Sequence, residues 1–222
     1  MSAGPFLGTS EFAATVLERL ASSGHRPDLV VTLPDRRKGR GRRESPSPVA
    51  LKAEELGIEV IKSMDVNDGD DRQRLLDQNA QWASICAFGQ LIKEPLLGGL
   101  PMLNVHPSLL PRWRGAAPIE RAIMAGDEVT GVGVMRLVAG LDSGPVALSS
   151  ETVIEASDDF GGLSGRLAGI GGGLLIEALD AAEAGELHFT DQEEEGVTYA
   201  KKISSDERRL DPGRDAGQLD CQ

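Results

Sequence analysis

The amino-acid sequence predicts an α/β protein with a doubly wound, mostly parallel sheet. Short apolar runs alternate along the chain with segments whose apolar residues recur at helical spacing. Residues 28–33 form a nearly continuous apolar run, as a strand covered by helices on both faces requires. Because 222 residues can bury one sizeable core, we expect a single large domain or a domain with a short appendage.

The first half of the chain begins with a short and poorly formed strand that ends at Gly8. A helix follows, with Ser10 as its N-cap and Gly24 at its C-terminal end. Ser47 and Pro48 mark the start of a second helix. The remaining elements of this half are expected to be strands over residues 28–33, 58–61 and 82–88 and helices over residues 49–56 and 72–78.

The second half begins with a strand that leads through a loop containing several prolines into a helix over residues 118–125. Residues 130–137 and 145–153 are expected to form two strands joined by a turn. A last helix over residues 158–184 is expected to be weak or broken. Four glycines lie in its middle, and each costs about 1 kcal/mol relative to alanine.

Composition narrows the class of protein. The chain is 40% hydrophobic and 26% charged and has no apolar run of membrane-spanning length, which is typical of soluble globular proteins. Its N-terminus lacks the features of a signal peptide, so we expect a cytoplasmic location. The two cysteines, Cys86 and Cys221, give no disulfide framework, in agreement with a reducing compartment.

A basic run stands out from an acidic chain. The net charge of −12 argues against general affinity for nucleic acid, yet residues 36–43 carry six positive charges in eight positions. Two glycines loosen the backbone of this run. The run is therefore either a solvated loop or a local arm that binds phosphate groups.

Three side chains indicate a catalytic site. Asn104 and His106 alternate with apolar residues and therefore leave the same face of one strand, and the turn after residue 139 can deliver Asp142 to them. A lone histidine is more often structural. His106 differs from His25 and His188 only because Asn104 and Asp142 are expected beside it. No second histidine or cysteine lies at ligand spacing, so we expect no metal.

An amide, an imidazole and a carboxylate suit acyl transfer to an external nucleophile. Asn104 is placed to stabilise an oxyanion, His106 to move a proton, and Asp142 to hold or charge the imidazole. No serine or cysteine nearby sits in a nucleophile elbow, so the enzyme itself need not be acylated.

The run NVHPSLLPRWRGAAPI, residues 104–119, closely resembles the methionyl-tRNA formyltransferase family. Shorter matches extend the resemblance over nearly the whole chain, at residues 6–14, 34–36, 39–41, 45–49, 87–89, 140–144 and 198–200. The resemblance implies the Rossmann-like formyltransferase fold and transfer of a formyl group from 10-formyltetrahydrofolate to the amino group of methionyl initiator tRNA, a step of translation initiation. Its implied partners are therefore the folate co-substrate and initiator methionyl-tRNA, without a membrane or a metal.

The same resemblance assigns roles to residues. It implies that Asn104, His106 and Asp142 catalyse formyl transfer. The residues it implies for folate binding are Phe88, Gly89, Ser108, Leu109, Leu110 and Pro111. The residues it implies for tRNA binding are Arg36, Lys38, Arg40, Arg42 and Arg43. Departures from the family pattern are Phe88 in place of a tyrosine, an unusual Gln90, and Ser10 in place of a proline.

The expected domain organisation is a catalytic domain over residues 1–184 and an extension or linker over residues 185–222. The chain stops about where the family enters its C-terminal tRNA-binding β domain, and we expect a monomer. Two alternatives stay open: a folate-dependent formyltransferase that acts on a small amine, such as a nucleotide sugar or glycinamide ribonucleotide, and a non-catalytic remnant that binds folate or RNA. The basic run and the pair Arg112 and Arg114 favour tRNA as the acceptor.

Overall fold

The computed structural model describes residues 4–38, 43–209 and 213 of the chain. The strands are β1 (Phe6–Gly8), β2 (Leu29–Thr32), β3 (Arg36–Lys38), β4 (Arg43–Ser45), β5 (Glu59–Lys62), β6 (Ala83–Cys86), β7 (Met102–His106), β8 (Arg114–Gly115), β9 (Val129–Arg136), β10 (Val146–Val153) and β11 (Tyr199–Ala200). The helices are α1 (Glu11–Ala21), α2 (Pro48–Glu55), α3 (Gly69–Leu76), α4 (Leu96–Gly99), α5 (Pro118–Ala125) and α6 (Phe160–Ala184), and a 3-10 turn covers Asp206–Arg208.

The main sheet has seven strands in the order β10-β9-β7-β6-β1-β2-β5. The pairs from β7 to β5 are parallel, whereas β9 and β10 run antiparallel at one edge. The predicted doubly wound, mostly parallel sheet is therefore confirmed. From β1 the chain first builds outward through β2 and β5 and then returns to the other side of β1 with β6. Ligands of such sheets bind beyond the carboxyl ends of the strands at this switch point.

Two hydrophobic cores cover the two faces of the sheet. On β1, Phe6 packs into one core and Leu7 into the other, and Val30 and Val31 divide in the same way on β2. The first core includes residues of α1, α2 and α6, and the second includes residues of α3 and α4. Burial on both faces explains why these strands read as nearly continuous apolar runs.

Helix α6 corrects the expectation of a weak or broken helix, because it runs without interruption over 25 residues. A Cβ on Gly171 would lie 2.7 Å from the Val105 side chain on β7 and 3.0 Å from Val132 on β9, and a Cβ on Gly172 would lie 2.9 Å from Arg19. These glycines let the helix approach the sheet and α1 closely. Burial of the leucines on the same helix offsets the low helix propensity of its glycines.

Several predicted boundaries differ from the structure. Helix α1 ends at Ala21 with Ser22 as its cap, before the expected Gly24, while α3 begins at Gly69, earlier than expected, because Asp68 caps its first turn. The predicted caps Ser10 and Ser47 are confirmed, since their hydroxyls accept from backbone N–H groups of the first turns. Within the described ranges, no helix combines the length and apolar character that crossing a membrane needs.

Candidate active site

A cavity of about 370 Å³ opens at the carboxyl ends of β6 and β7, beside the switch point of the sheet. Its lining includes Asn104, His106 and Asp142, so the structure brings the three sequence-predicted catalytic residues to one place. Most of the remaining lining is apolar and includes Phe88 and Ile92. A few polar groups that converge on an apolar pocket are the usual arrangement of a small-molecule site.

His106 ends strand β7 and is almost completely buried, with 5% of its surface exposed. Its Nε2 atom lies 3.0 Å from the carbonyl oxygen of Trp113. Because a carbonyl only accepts hydrogen bonds, Nε2 carries a proton and donates it to Trp113. The other ring nitrogen, Nδ1, lies 3.7 Å from Asp142 Oδ2, which is too long for a direct hydrogen bond.

Asp142 is held by the backbone of strand β8. Its Oδ2 atom accepts a hydrogen bond of 2.9 Å from the N–H of Gly115. Gly115 has a φ of 122°, and a Cβ there would lie 2.8 Å from the carbonyl oxygen of Ala200, so this position requires glycine. Asp142 and Trp113 are themselves non-glycine residues at positive φ, 44° and 62°, a conformation that is concentrated at functional sites.

Asn104 lies two residues before His106 on β7 and is 8% exposed. It pairs with Ile85 on β6 and with Met135 on β9, so its backbone is fixed from both sides. No described residue forms a hydrogen bond with its side-chain amide, which lines the cavity. The amide is thus available to a ligand.

Phe88 and Gly89 also line the cavity, as expected for the folate site. The Phe88 carbonyl accepts a hydrogen bond of 2.7 Å from the Thr9 hydroxyl, which ties this loop to the end of β1. The unusual Gln90 has a structural contact: its side chain accepts from Val66 N–H and donates to the Ser63 carbonyl, both at 2.8 Å. Gln90 therefore connects one wall of the cavity to the loop that follows β5.

Comparison with known proteins identifies the family. A family model described as formyl transferase matches residues 5–179. The methionyl-tRNA formyltransferase of Parvibaculum lavamentivorans is 45% identical over 218 residues, which are 97% of this chain and 70% of that protein. The chain belongs to the methionyl-tRNA formyltransferase family. The corresponding enzyme of Rhizobium meliloti is 46% identical over 217 residues, 96% of this chain and 70% of the relative.

Solved structures agree on the formyltransferase fold. An N-formyltransferase from Helicobacter canadensis, in complex with folinic acid and dTDP-3-aminofucose, superposes with a TM-score of 0.71 at 16% identity over 100% of this chain and 79% of that one. The phosphoribosylglycinamide formyltransferase of Bacillus halodurans gives 0.63 at 22% identity over 80% of this chain and 95% of that one. At these identities the likeness extends to the fold alone.

Four residues that the family resemblance assigns to folate lie away from the cavity of this formyltransferase. The chain turns immediately after β7, where Ser108 N–H bonds to the His106 carbonyl and the buried Ser108 hydroxyl donates to the Arg112 carbonyl at 2.7 Å. Pro107 still lines the cavity, and the run lines it again only at Gly115, Ala116 and Pro118. Leu109, Leu110 and Pro111 instead line a separate depression of about 440 Å³ beside β10 and residues 190–193. Ser108, Leu109, Leu110 and Pro111 thus do not line the cavity, and their role in folate binding stays a prediction.

The loop before β8 is stabilised by a partly buried acid, Asp127. Asp127 accepts two hydrogen bonds from the Arg112 guanidinium, at 2.9 and 2.6 Å, and one of 2.8 Å from the Trp113 indole N–H. Burial opposes ionisation of Asp127, but these bonds hold its pKa below the ordinary value. Arg112 also stacks on the Trp113 ring at 4.3 Å. Its guanidinium is thus held in place by Asp127 while its side chain stays 43% exposed, and a contribution of Arg112 to tRNA binding stays a prediction.

Sequence reasoning missed the residues that complete the site from beyond position 184. Strand β11 pairs with β8, and the N–H of Trp113 donates to the Thr198 hydroxyl at 2.8 Å. Gln192 contacts both Arg114 and the turn that carries Asp142. The match of residues 198–200 to the family pattern was the only sequence signal for this segment, and it did not assign a function to any of these residues.

The two ends of the basic run belong to strands β3 and β4, which pair antiparallel and are called the basic hairpin below; β3 follows the carboxyl end of β2. Arg36 and Arg37 are exposed, and Arg37 lies 3.7 Å from Glu44. Arg40 and Arg42 lie outside the described residues, as do the side chains of Lys38 and Arg43. At the base of this basic hairpin, a second cavity of about 320 Å³ is lined by Thr9, Ser10, Pro34, Arg36, Ser45 and Ser47, among others.

Proposed function

We infer that this chain transfers a formyl group from 10-formyltetrahydrofolate to the α-amino group of methionyl initiator tRNA. Membership of the family establishes an enzyme of one-carbon formyl transfer. The observation that carries the assignment of residues is the convergence of Asn104, His106 and Asp142 on one largely apolar cavity. We also propose that the donor is the 10-formyl form of the folate and that each of these three residues has a separate role in the transfer.

The cavity suits the folate donor. A volume of about 370 Å³ lies within the range of roughly 300–1,000 Å³ usual for small-molecule sites. The apolar side chains of Phe88 and Ile92 offer contact to a flat ring system, and the polar groups lie together on the side of β7 and the Asp142 turn. We propose that the ring system of the donor packs on the apolar wall, which leaves its formyl group beside Asn104.

Formyl transfer exchanges one C–N bond for another. The amino group of the methionyl ester forms a bond to the formyl carbon, and the bond from that carbon to the folate nitrogen breaks. Negative charge develops on the formyl oxygen during the attack. The Asn104 amide is placed to donate a hydrogen bond to that oxygen, an interaction that strengthens as the charge develops.

His106 is proposed to move the proton. The attacking amine loses a proton, and the folate nitrogen gains one. Because Nε2 already donates to the Trp113 carbonyl, Nδ1 is the ring nitrogen that can accept and return this proton. The Asp142 carboxylate at 3.7 Å stabilises the imidazolium that forms meanwhile.

A covalent enzyme intermediate has no support in this geometry. Among the described residues, the lining of the cavity contains no serine, threonine or cysteine that could accept the formyl group. Direct transfer from the folate to the amine therefore agrees best with the site. The absence of a metal, a monomeric state and a cytoplasmic location stay predictions.

The tRNA is proposed to bind along the basic hairpin. Arg36, Lys38, Arg40, Arg42 and Arg43 belong to a run of positive charge on a chain whose net charge is −12, so phosphate contacts are expected to be local. The exposed Arg36 and Arg37 lie at the sheet edge that also holds the catalytic cavity. The cavity at the base of the hairpin, which Arg36 lines, is a candidate contact for the end of the acceptor strand.

A formylation assay tests the proposal. The purified chain is incubated with methionyl-tRNA and 10-formyltetrahydrofolate, and formyl-methionyl-tRNA is quantified over a series of protein concentrations. We expect product formation that Asn104→Ala slows by about 10²- to 10³-fold while folate binding persists. Folate binding without product at any concentration would point to a non-catalytic remnant, and formylation of a nucleotide sugar or glycinamide ribonucleotide in place of the tRNA would point to a small-amine enzyme.

A further inference from the structure

Gln192 connects two walls of the cavity. Its side-chain N–H groups donate to the carbonyl oxygens of Asp142 and Gly144, at 2.9 and 2.7 Å. Its side-chain oxygen accepts a hydrogen bond of 2.9 Å from the Arg114 guanidinium. One amide therefore bonds the turn that carries Asp142 to the strand that begins at Arg114.

These two walls are also the ones that fix the Asp142 carboxylate. Strand β8 contributes the Gly115 N–H that bonds Asp142 Oδ2, and the turn around residue 142 sets the backbone from which this side chain projects. The distance from Asp142 Oδ2 to His106 Nδ1 depends on both walls. A bridge between them consequently controls the electrostatic environment of the imidazole.

The chemistry of this bridge requires an amide. Gln192 is half-buried, whereas its neighbours Asp191, Glu193, Glu194 and Glu195 are exposed acids. A carboxylate can accept from Arg114 but cannot donate to two carbonyl oxygens. In this acidic run, position 192 is the one whose side chain can satisfy all three partners.

The backbone holds Gln192 in place independently of its side chain. On one side, Thr190 exchanges two backbone hydrogen bonds with Val146, at 2.8 and 2.9 Å. On the other side, the Thr198 hydroxyl accepts from Trp113 and β11 pairs with β8. Removal of the Gln192 amide is therefore expected to loosen the Asp142 turn without releasing the segment.

We propose that Gln192 is a positioning residue for formyl transfer, which acts by holding the Asp142 turn against strand β8. This inference rests on the proposed roles of Asp142 and His106. It also places the segment around residue 192 within the catalytic unit, on the far side of the domain boundary expected at residue 184. The effect of the amide reaches the substrates through Asp142 and His106.

Three variants separate positioning from general stability. Gln192→Met keeps the length of the side chain but removes every hydrogen bond, and Gln192→Glu keeps only the acceptor for Arg114. Glu193→Gln is the matched control, because it changes an exposed neighbour on the same segment. We expect both Gln192 variants to lower kcat at least about tenfold with the KM for the folate donor within about twofold, since small displacements of catalytic groups affect the transition state most.

A spectroscopic measurement tests the inference even if the chain proves inactive. The chain has three histidines, so the ring resonances of ¹³C-histidine-labelled protein can be assigned by substitution. We expect the His106 resonance at pH 7 to move in Gln192→Met in the same direction as in Asp142→Asn, while Glu193→Gln leaves it in place. An unmoved His106 resonance in folded Gln192→Met and Gln192→Glu would overturn the positioning role, whereas an inactive wild type with the expected resonance shifts would overturn only the proposed function.

Discussion

The catalytic cavity and the basic hairpin lie at the same edge of the sheet but are built in opposite ways. Asn104 and His106 are buried on a central strand, and hydrogen bonds that involve residues 113–115 and the Asp142 turn fix their surroundings. Arg36 and Arg37 are exposed on a hairpin of two three-residue strands. Groups that act in a transition state need fixed positions, whereas charges that attract a polyanion act over about 10 Å. Substitutions in the two regions should therefore change different kinetic constants.

The largest effect is expected in the cavity. His106→Ala and Asn104→Ala should each lower kcat by about 10²- to 10³-fold, because each removes a proton carrier or an oxyanion donor. Single-turnover formylation measures this loss, and fluorescence titration with the folate checks that the donor still binds. His188→Ala, at an exposed histidine, is the control. A loss smaller than about threefold at both positions would contradict their roles.

Packing behind the cavity should show the next largest effect. A side chain at Gly171 must displace Val105, which lies between Asn104 and His106 on β7. Overpacking of a core costs about 1–3 kcal/mol, so Gly171→Val should lower the free energy of unfolding by that amount in urea titrations. Gly173→Ala is the matched control on the same helix, because nothing lies within 4 Å of its Cβ position. This variant should leave the protein unchanged or more stable by up to about 1 kcal/mol.

The hairpin should affect binding of tRNA and its dependence on salt. The double variant Arg36→Ser, Arg37→Ser should raise the KM for methionyl-tRNA several-fold and leave kcat within about twofold. The slope of log affinity against log salt should become shallower by about 0.7 to 0.9 for each phosphate group that the variant no longer neutralises. Arg74→Ser, at an exposed arginine on α3, provides the control. An unchanged salt slope in the double variant would show that this hairpin does not bind phosphate.

The smallest effect concerns pH and the end of the described chain. Hydrogen bonds from Arg121, and further ones from Ser204, lower the pKa of Glu207 from 4.5 to about 2. Because this pKa is depressed in the folded protein, the carboxylate adds stability above pH 4.5, and that stability is lost as the pH falls toward 2. Glu207→Gln should therefore lower the Tm slightly at pH 7 and progressively less below pH 4.5. A difference in Tm that grows on acidification would contradict this pairing.

The two regions also differ in how far the sequence could predict them. The alternation on β7 placed Asn104 and His106 on one face, and a glycine-flanked turn indicated that Asp142 could join them, because local periodicity and turn chemistry decide such features. Gln192 and Thr198 gave no such signal, since their contacts form between segments about 50 to 85 residues apart. The prediction of a weak or broken helix α6 was wrong for the same reason. Its glycines fit against neighbouring side chains from other segments, which helix propensity does not describe.

One measurement tests the division between cavity and hairpin most directly. Single-turnover formylation is followed with rising enzyme concentration for Asn104→Ala and for the Arg36→Ser, Arg37→Ser variant. The structure leads us to expect that the hairpin variant reaches the wild-type rate once the tRNA is saturated, while Asn104→Ala stays about 10²-fold slower at every concentration. A hairpin variant that remains slow at saturation, or an Asn104→Ala variant that recovers, would contradict this division.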